Sequence, residues 1–279
     1  MPHAIELANV TKSFGTFVAV DDLSLQVPAG TICGFIGPNG SGKTTTLRVI
    51  MRIYAPDRGR VVVLGDESWQ AANDRVGYLP EERGLYKQMK VKDVLRFYAE
   101  LKGMRNSQAA IADWLERMNL TPWTNKKVET LSKGMAQKVQ FIATVIAKPE
   151  LVLLDEPFSG LDPVNAEVFR EAIVQLKRDG ATIIFSTHDM AVAEKMCDSI
   201  VMIYKGRKVL DGTLDSIQNT YADDTLRVRM DGAAALEGLP GVSKVADFGN
   251  YQELRLERGA DPQRVLAELM RRGPVRLFE

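Results

Sequence analysis

The amino-acid sequence predicts an α/β fold with a parallel-sheet core and an antiparallel β element at the N-terminus. Three apolar runs carry the prediction of the core, at residues 31–36, 151–154 and 182–186. Strands that are apolar on both faces are typical of parallel sheets covered by helices on both sides. Two segments of alternating polarity, 5–7 and 23–27, predict the antiparallel element.

A glycine-rich loop lies between the first apolar run and a predicted helix. Its residues are Gly37-Pro38-Asn39-Gly40-Ser41-Gly42-Lys43-Thr44, and Thr45 follows. Because glycine has no Cβ, the loop can turn backbone N–H groups inward at a helix N-terminus, where anions are favoured. Lys43 adds a charge that can reach β- and γ-phosphates, and the Thr44 hydroxyl is placed for Mg²⁺. Strand, loop and helix predict the P-loop of an NTPase; the alternative is a chance glycine-rich turn.

The composition narrows the classes of protein to consider. The 279 residues suffice for one large domain, alone or with a small one. Lys+Arg and Asp+Glu both number 36, so the net charge gives no general reason to expect nucleic-acid binding. The two cysteines predict reduced core residues of a cytoplasmic protein. We see no signal peptide and no run of roughly 18–20 apolar residues, so any membrane span is expected on another chain.

Helix and strand patterns surround the second apolar run. Short strands are predicted at 60–65 and 76–80, and three helices at about 91–103, 107–119 and 133–147. These helices form a predicted helical subdomain at about 87–147. Asp162-Pro163 predicts the start of another helix, with Asp as N-cap and Pro in the first turn, which ends near Gly180.

A change in composition near residue 220 predicts a boundary between residues 1–221 and a small β/α domain of residues 222–279. In this second part, apolar residues alternate with charged ones at 226–230 and 253–257, as in half-buried strands. Asp261-Pro262 begins a predicted helix. The last residues have a strand-like pattern, from which we expect that the natural chain continues.

Two carboxylates directly follow the second apolar run. At the carboxyl end of a parallel strand, Asp155 can hold Mg²⁺ and Glu156 can polarise an attacking water. Alone, such a pair is as often only a strand end, but a P-loop in the same chain favours the catalytic interpretation. His188 follows the third run in the same way, so its imidazole can hydrogen-bond a γ-phosphate or the attacking water. The alternative for this histidine is a structural role.

A second helix start has the features of an anion site. In Leu131-Ser132-Lys133-Gly134-Met135, Ser132 is a natural N-cap and Gly134 exposes its backbone N–H. An ordinary capped helix is the alternative. A further motif, Ser159-Gly160-Leu161-Asp162, follows Glu156 closely.

The order of these motifs resembles that of the ATP-binding cassette (ABC) transporter ATPases over about residues 4–215. The resemblance implies the fold of a P-loop NTPase with a RecA-like parallel-sheet core. It implies that two such domains dimerise head to tail, with Mg-ATP between the P-loop of one and the Ser132/Gly134 segment of the other. It also implies that Glu156 is the general base, that His188 senses the γ-phosphate and that Asp162 couples the two sites.

The resemblance adds one contact and includes three departures. Lys12-Ser13-Phe14-Gly15 matches the family's aromatic loop, which implies that Phe14 stacks on adenine; core packing is the alternative. The family's signature is usually Leu-Ser-Gly-Gly-Gln, whereas Lys133 and Met135 stand at the third and fifth positions here. Glu81 replaces a family glutamine, and its carboxylate can ligate Mg²⁺ directly or through water.

The variant motifs are similar to those of ATPase subunits from bacterial exporters of sodium, drugs or antibiotics, whose membrane half is a separate polypeptide. The resemblance implies a peripheral export ATPase on the inner face of the cell membrane, with a permease and a second ATPase subunit as partners and no nucleic acid. The permease contact is expected between Glu81 and about Tyr98, with Arg83 and Tyr86 as test positions.

Two other functions are possible for such a chain. A soluble ABC ATPase acting on nucleic acid or ribosomes usually has two cassettes or a long coiled-coil insertion, and this sequence has neither. A regulatory nucleotide-binding module with little hydrolysis would not need Glu156 and His188, although Lys133 and Met135 leave it open.

Overall fold

The structure, a computed structural model, describes residues 2–68, 74–82, 84–221, 225–231, 236 and 238–279. Arg83 therefore lies outside the described residues. The chain forms two compact units, Met1–Leu214 and Asp215–Glu279, here called the N-terminal and C-terminal units. Each has its own hydrophobic core.

The strands of the N-terminal unit form two sheets. In chain order they are β1 (His3–Phe14), β2 (Phe17–Pro28), β3 (Ile32–Ile36), β4 (Arg58–Val63), β5 (Val76–Leu79), β6 (Leu151–Asp155), β7 (Thr182–Thr187), β8 (Ser199–Tyr204) and β9 (Arg207–Gly212). The antiparallel sheet has the order β2-β1-β4, which confirms the N-terminal β element. The other sheet has the order β5-β6-β7-β3-β8-β9, parallel except for β9. The sequence analysis did not predict β8 or β9.

The parallel sheet brings its functional segments to one edge. Every residue of β3, β6 and β7 is buried, in agreement with their apolar runs. Asp155 pairs in register with Ser186 on one side of β7, and Ile36 pairs with Thr187 on the other. Since these strands are parallel, the loops that follow all three begin next to one another.

The described part of the N-terminal unit has six α-helices, and all except the last were predicted, with ends that agree to within two residues. They are α1 (Lys43–Ile50), α2 (Val91–Leu101), α3 (Gln108–Arg117), α4 (Lys133–Val145), α5 (Pro163–Arg178) and α6 (Met190–Met196). Asp162 caps α5 by accepting the backbone N–H of Asn165 at 2.9 Å, as its sequence predicts. Helices α2, α3 and α4 share a core that includes Trp114 and Phe141, whose rings meet edge to face at 6.0 Å.

The C-terminal unit is a four-stranded antiparallel sheet with a helix packed on one face. Its elements are α7 (Leu214–Tyr221), β10 (Thr225–Met230), β11 (Val242–Asp247), β12 (Gln252–Leu256), α8 (Pro262–Arg272) and β13 (Val275–Phe278), and the strand order is β11-β12-β10-β13. Its core joins Val228 and Leu254 of the sheet to Val265 and Leu269 of α8. In the described parts of both units, no helix combines the length and apolarity needed to span a membrane.

Candidate functional site

The glycine-rich loop forms one wall of a cavity of about 400 Å³ at the carboxyl edge of the parallel sheet. The loop needs its glycines because Gly42 has φ +106, and a Cβ there would lie 2.4 Å from the carbonyl oxygen of Ala19. The lining residues are Phe17, Ala19, Asn39, Gly40, Ser41, Gly42, Lys43, Thr44, Thr45, Glu81 and Glu156. We refer to this space as the P-loop cavity.

The Lys43 ammonium is folded back onto its own loop. It donates hydrogen bonds to the carbonyl oxygens of Gly37 and Pro38 at 2.7 and 3.2 Å. Its Nζ also lies 3.5 Å from Glu156 Oε1, and only 5% of its side chain is exposed. The loop thus presents a nearly buried positive charge to the cavity, which suits a phosphate group.

The Asp155 carboxylate is arranged to hold a divalent cation. Its Oδ1 accepts hydrogen bonds from Thr44 Oγ1 at 3.0 Å and from Ser186 Oγ at 2.6 Å. Its Oδ2 is buried and has no hydrogen-bond partner among the described residues. A buried, unpaired carboxylate oxygen beside a threonine hydroxyl fits a hard cation such as Mg²⁺, which takes oxygen ligands.

Glu156 lies between a lysine and a histidine. Its Oε1 faces Lys43, and its Oε2 lies 3.1 Å from Nδ1 of His188. Oε1 is buried without a hydrogen-bond partner in the described chain, so it can still accept a proton from a bound water. The backbone of Glu156 has φ +47, a strained conformation for a non-glycine residue that often occurs at functional sites.

Ser186 is a site residue that the sequence analysis did not assign. Besides its bond to Asp155, its Oγ accepts the backbone N–H of Glu156 at 2.9 Å. The only signal in the sequence was its place two residues before His188 at the end of an apolar run. Its role depends on the register between β6 and β7.

The aromatic side of the P-loop cavity is formed by Phe17. Phe14, the residue that resemblance suggested, pairs with Phe17 across the turn between β1 and β2 and packs edge to face on Tyr54 at 5.2 Å. Phe17 is 61% exposed and lines the cavity, whereas Phe14 does not. Contact between Phe14 and adenine stays a prediction. Phe17 and Ala19 are additions that the sequence analysis missed.

The second anion site predicted from the sequence lies apart from this cavity. Ser132 caps α4 by accepting the backbone N–H of Met135 at 3.3 Å. Gly134 is the second residue of the same helix, and a Cβ there would lie in ordinary contact with the Leu161 side chain, at 3.5 Å. Ser132, Gly134 and Asp162 do not line the P-loop cavity, while Glu81 does. One subunit therefore has two candidate phosphate-binding helix starts, of which only the one at the P-loop lines this cavity.

Comparisons with protein families match both parts of the chain. Residues 20–159 match the family model described as ABC transporter. Residues 212–279 match the model described as ATP-binding protein DrrA1-3-like, C-terminal domain.

Curated relatives and solved structures agree with the family matches. The chain is 40% identical to the uncharacterized ABC transporter ATP-binding protein YhaQ of Bacillus subtilis over 99% of this chain and 93% of that protein. It is 38% identical to the ABC transporter ATP-binding protein NatA of Bacillus subtilis over 75% of this chain and 87% of NatA. It is 35% identical to the Nod factor export ATP-binding protein I of Bradyrhizobium diazoefficiens over 77% and 72% of the two chains. A solved ATP-binding subunit of an ABC transporter superposes with a TM-score of 0.74 at 30% identity, covering 78% of this chain and 93% of the other.

Proposed function

The chain belongs to the family of ABC transporter ATP-binding subunits, and we propose that it hydrolyses Mg-ATP to drive export through a separate membrane permease. The family membership itself implies ATP binding and hydrolysis within a transport system. The observation that carries the proposal is the Glu156 carboxylate, which lies between Lys43 and His188 at the P-loop cavity.

Each residue of the site has a distinct task in this reaction. Lys43 and the loop N–H groups bind and orient the β- and γ-phosphates. Thr44 and Asp155 are the ligands for Mg²⁺, with Glu81 as a further candidate; when bound, the ion neutralises charge on the phosphates. Glu156 accepts the proton of the attacking water, and His188 orients the Glu156 carboxylate and the γ-phosphate.

Catalysis requires a second subunit in this proposal. The helix start at Ser132 and Gly134 lies outside the P-loop cavity of its own chain. A head-to-tail dimer would place it against the phosphates held by the partner's P-loop, where its backbone N–H groups bind anions. Asp162 lies in the loop next to that helix start and is the proposed link between the two nucleotides. The partner is a second copy or a related ABC subunit.

The permease contact is proposed for the segment from Glu81 to Tyr98, where the parallel sheet meets the helical subdomain. Residues 1–221 are the proposed ATPase domain, and residues 222–279 an accessory domain. Export is supported by similarity to the Nod factor export ATP-binding protein I. The protein is then located at the inner face of the cell membrane through its permease.

A tagged chain, purified from membranes solubilised in mild detergent, tests the proposal. Stoichiometric recovery of a polytopic membrane protein, together with ATPase activity that requires Mg²⁺ and Glu156, is the expected result. Ribosomal proteins or nucleic acid as the stoichiometric partner would instead support an ABC ATPase outside transport.

A further inference from the structure

A second, smaller cavity adjoins the P-loop cavity in the N-terminal unit. It has a volume of about 100 Å³, and Glu81 and Glu156 line both cavities. Its described lining contains the carboxylates of Glu81, Asp155 and Glu156 and a single ammonium group, that of Lys133. Negative charge therefore exceeds positive charge around this space.

The four charged groups differ in how they are paired. Asp155 is bonded to Thr44 and Ser186, and Glu156 lies between Lys43 and His188. Within the described residues, neither the Glu81 nor the Lys133 side chain forms a hydrogen bond or an ion pair. The only unpaired carboxylate and the only cation of the described lining thus share one small cavity.

The Lys133 side chain folds toward the catalytic part of its own chain. Its Nζ lies 3.2 Å from the place that a Cβ on Gly160 would occupy, so a glycine with φ +71 makes room for it. Lys133 is also the first residue of α4, where the positive end of the helix dipole disfavours a cation. This unfavourable interaction is worth about 0.3–1 kcal/mol at an exposed helix end, and nearby carboxylates offset it.

We propose that Lys133 is a positioning residue that supplies the counter-charge of Glu81 within one subunit and holds the start of α4 against the catalytic edge of the sheet. The departures from the family's usual motifs at Glu81 and Lys133 then compensate for each other in charge. The kinetic part of the test rests on the proposed ATPase function, whereas the charge pairing does not.

The test compares four proteins: the wild type, Lys133→Gln, Glu81→Gln and the double variant. We expect Lys133→Gln to lower kcat about 10-fold at saturating Mg-ATP, because Glu81 then faces Asp155 and Glu156 without an opposing charge. In the Glu81→Gln background, the same substitution should change kcat by less than about 2-fold. This dependence on background, a coupling of about 1–1.4 kcal/mol, is what a purely structural lysine would not produce.

Two exposed residues provide matched controls with the same charge changes. Lys126→Gln and Glu116→Gln should leave kcat unchanged, alone and together, because neither side chain lines the cavity. Equal losses from Lys133→Gln in both Glu81 backgrounds would overturn the proposal.

Melting temperatures separate this inference from the proposed function. We expect Lys133→Gln to lower Tm by several degrees in the wild-type background and by less than about one degree in the Glu81→Gln background. If the wild type does not hydrolyse ATP, the proposed function fails. The melting temperatures then still test the electrostatic coupling between Lys133 and Glu81. Equal shifts in Tm from Lys133→Gln in both Glu81 backgrounds would then reject this coupling.

Discussion

The Ser186 hydroxyl donates a 2.6 Å hydrogen bond to Oδ1 of Asp155 where β6 and β7 end side by side. The same Oγ accepts the backbone N–H of Glu156, so one buried side chain orients two functional residues. The candidate magnesium ligand and the candidate base are thereby held by a single side chain that is fully buried.

Removing this hydroxyl should weaken both the fold and the reaction. Ser186→Ala leaves the Glu156 N–H without an acceptor, and an unpaired buried group costs about 1–3 kcal/mol. We expect a loss of that size in the free energy of unfolding in urea, together with a lower kcat. An unchanged kcat in the folded variant would show that Ser186 does not position the site.

Neutralising Glu156 should stop hydrolysis while nucleotide binding remains. General base catalysis contributes about 10²–10⁴-fold, so Glu156→Gln should lower kcat by that factor and retain Mg-ATP. Glu150→Gln is the control, because Glu150 precedes β6 at its opposite end and pairs with Arg75 on the surface. Wild-type turnover in Glu156→Gln would place the base elsewhere.

Truncating Lys43 should weaken nucleotide binding. A hydrogen bond to a charged group is worth about 1.5–3 kcal/mol, which corresponds to roughly 10- to 100-fold in affinity for Mg-ATP. Lys43→Ala can be measured by fluorescence titration, with Lys244→Ala in the C-terminal unit as control. Equal affinity for the two variants would contradict the P-loop assignment.

A charge at Tyr86 should uncouple the ATPase from its permease. Tyr86 is 53% exposed and packs edge to face on Phe97 at 5.4 Å, within the proposed contact segment. For Tyr86→Asp we expect unchanged basal ATPase activity and loss of stimulation and transport in the reconstituted complex. Phe248→Asp, also exposed but in the C-terminal unit, is the comparison. Full transport by Tyr86→Asp would show that the permease contact lies elsewhere on the chain.

The two cysteines should be unreactive in the folded protein. Burial raises the pKa of Cys33 to about 12 and also raises the pKa of Cys197. Thiolates are the reactive form of cysteine. Raising the pH from about 7 to 9 should therefore form almost no thiolate at Cys33. Mass spectrometry after iodoacetamide treatment should find both thiols alkylated only in urea. Rapid labelling of native Cys33 at pH 8 would contradict its burial.

Much of the site could be predicted because its residues follow buried strands. Asp155 is the last residue of β6 and His188 directly follows β7, and parallel strands align their carboxyl ends. Ser186 and Phe17 were missed because their roles come from strand register and from the turn between β1 and β2. Such pairings join residues that are distant in the sequence or on opposite sides of a turn, and a local pattern does not contain them.

The sequence by itself determined the candidate chemistry of this protein: a candidate phosphate-binding loop, a carboxylate pair, a histidine and a second candidate anion-binding helix start. Only the tertiary structure decided which charges come together, with Glu156 between Lys43 and His188, and with Lys133 folded onto Gly160 in a cavity that Glu81 also lines. The reason is physical. Local propensities act over a few residues, whereas electrostatic contacts depend on distances that are set when separate strands and helices pack.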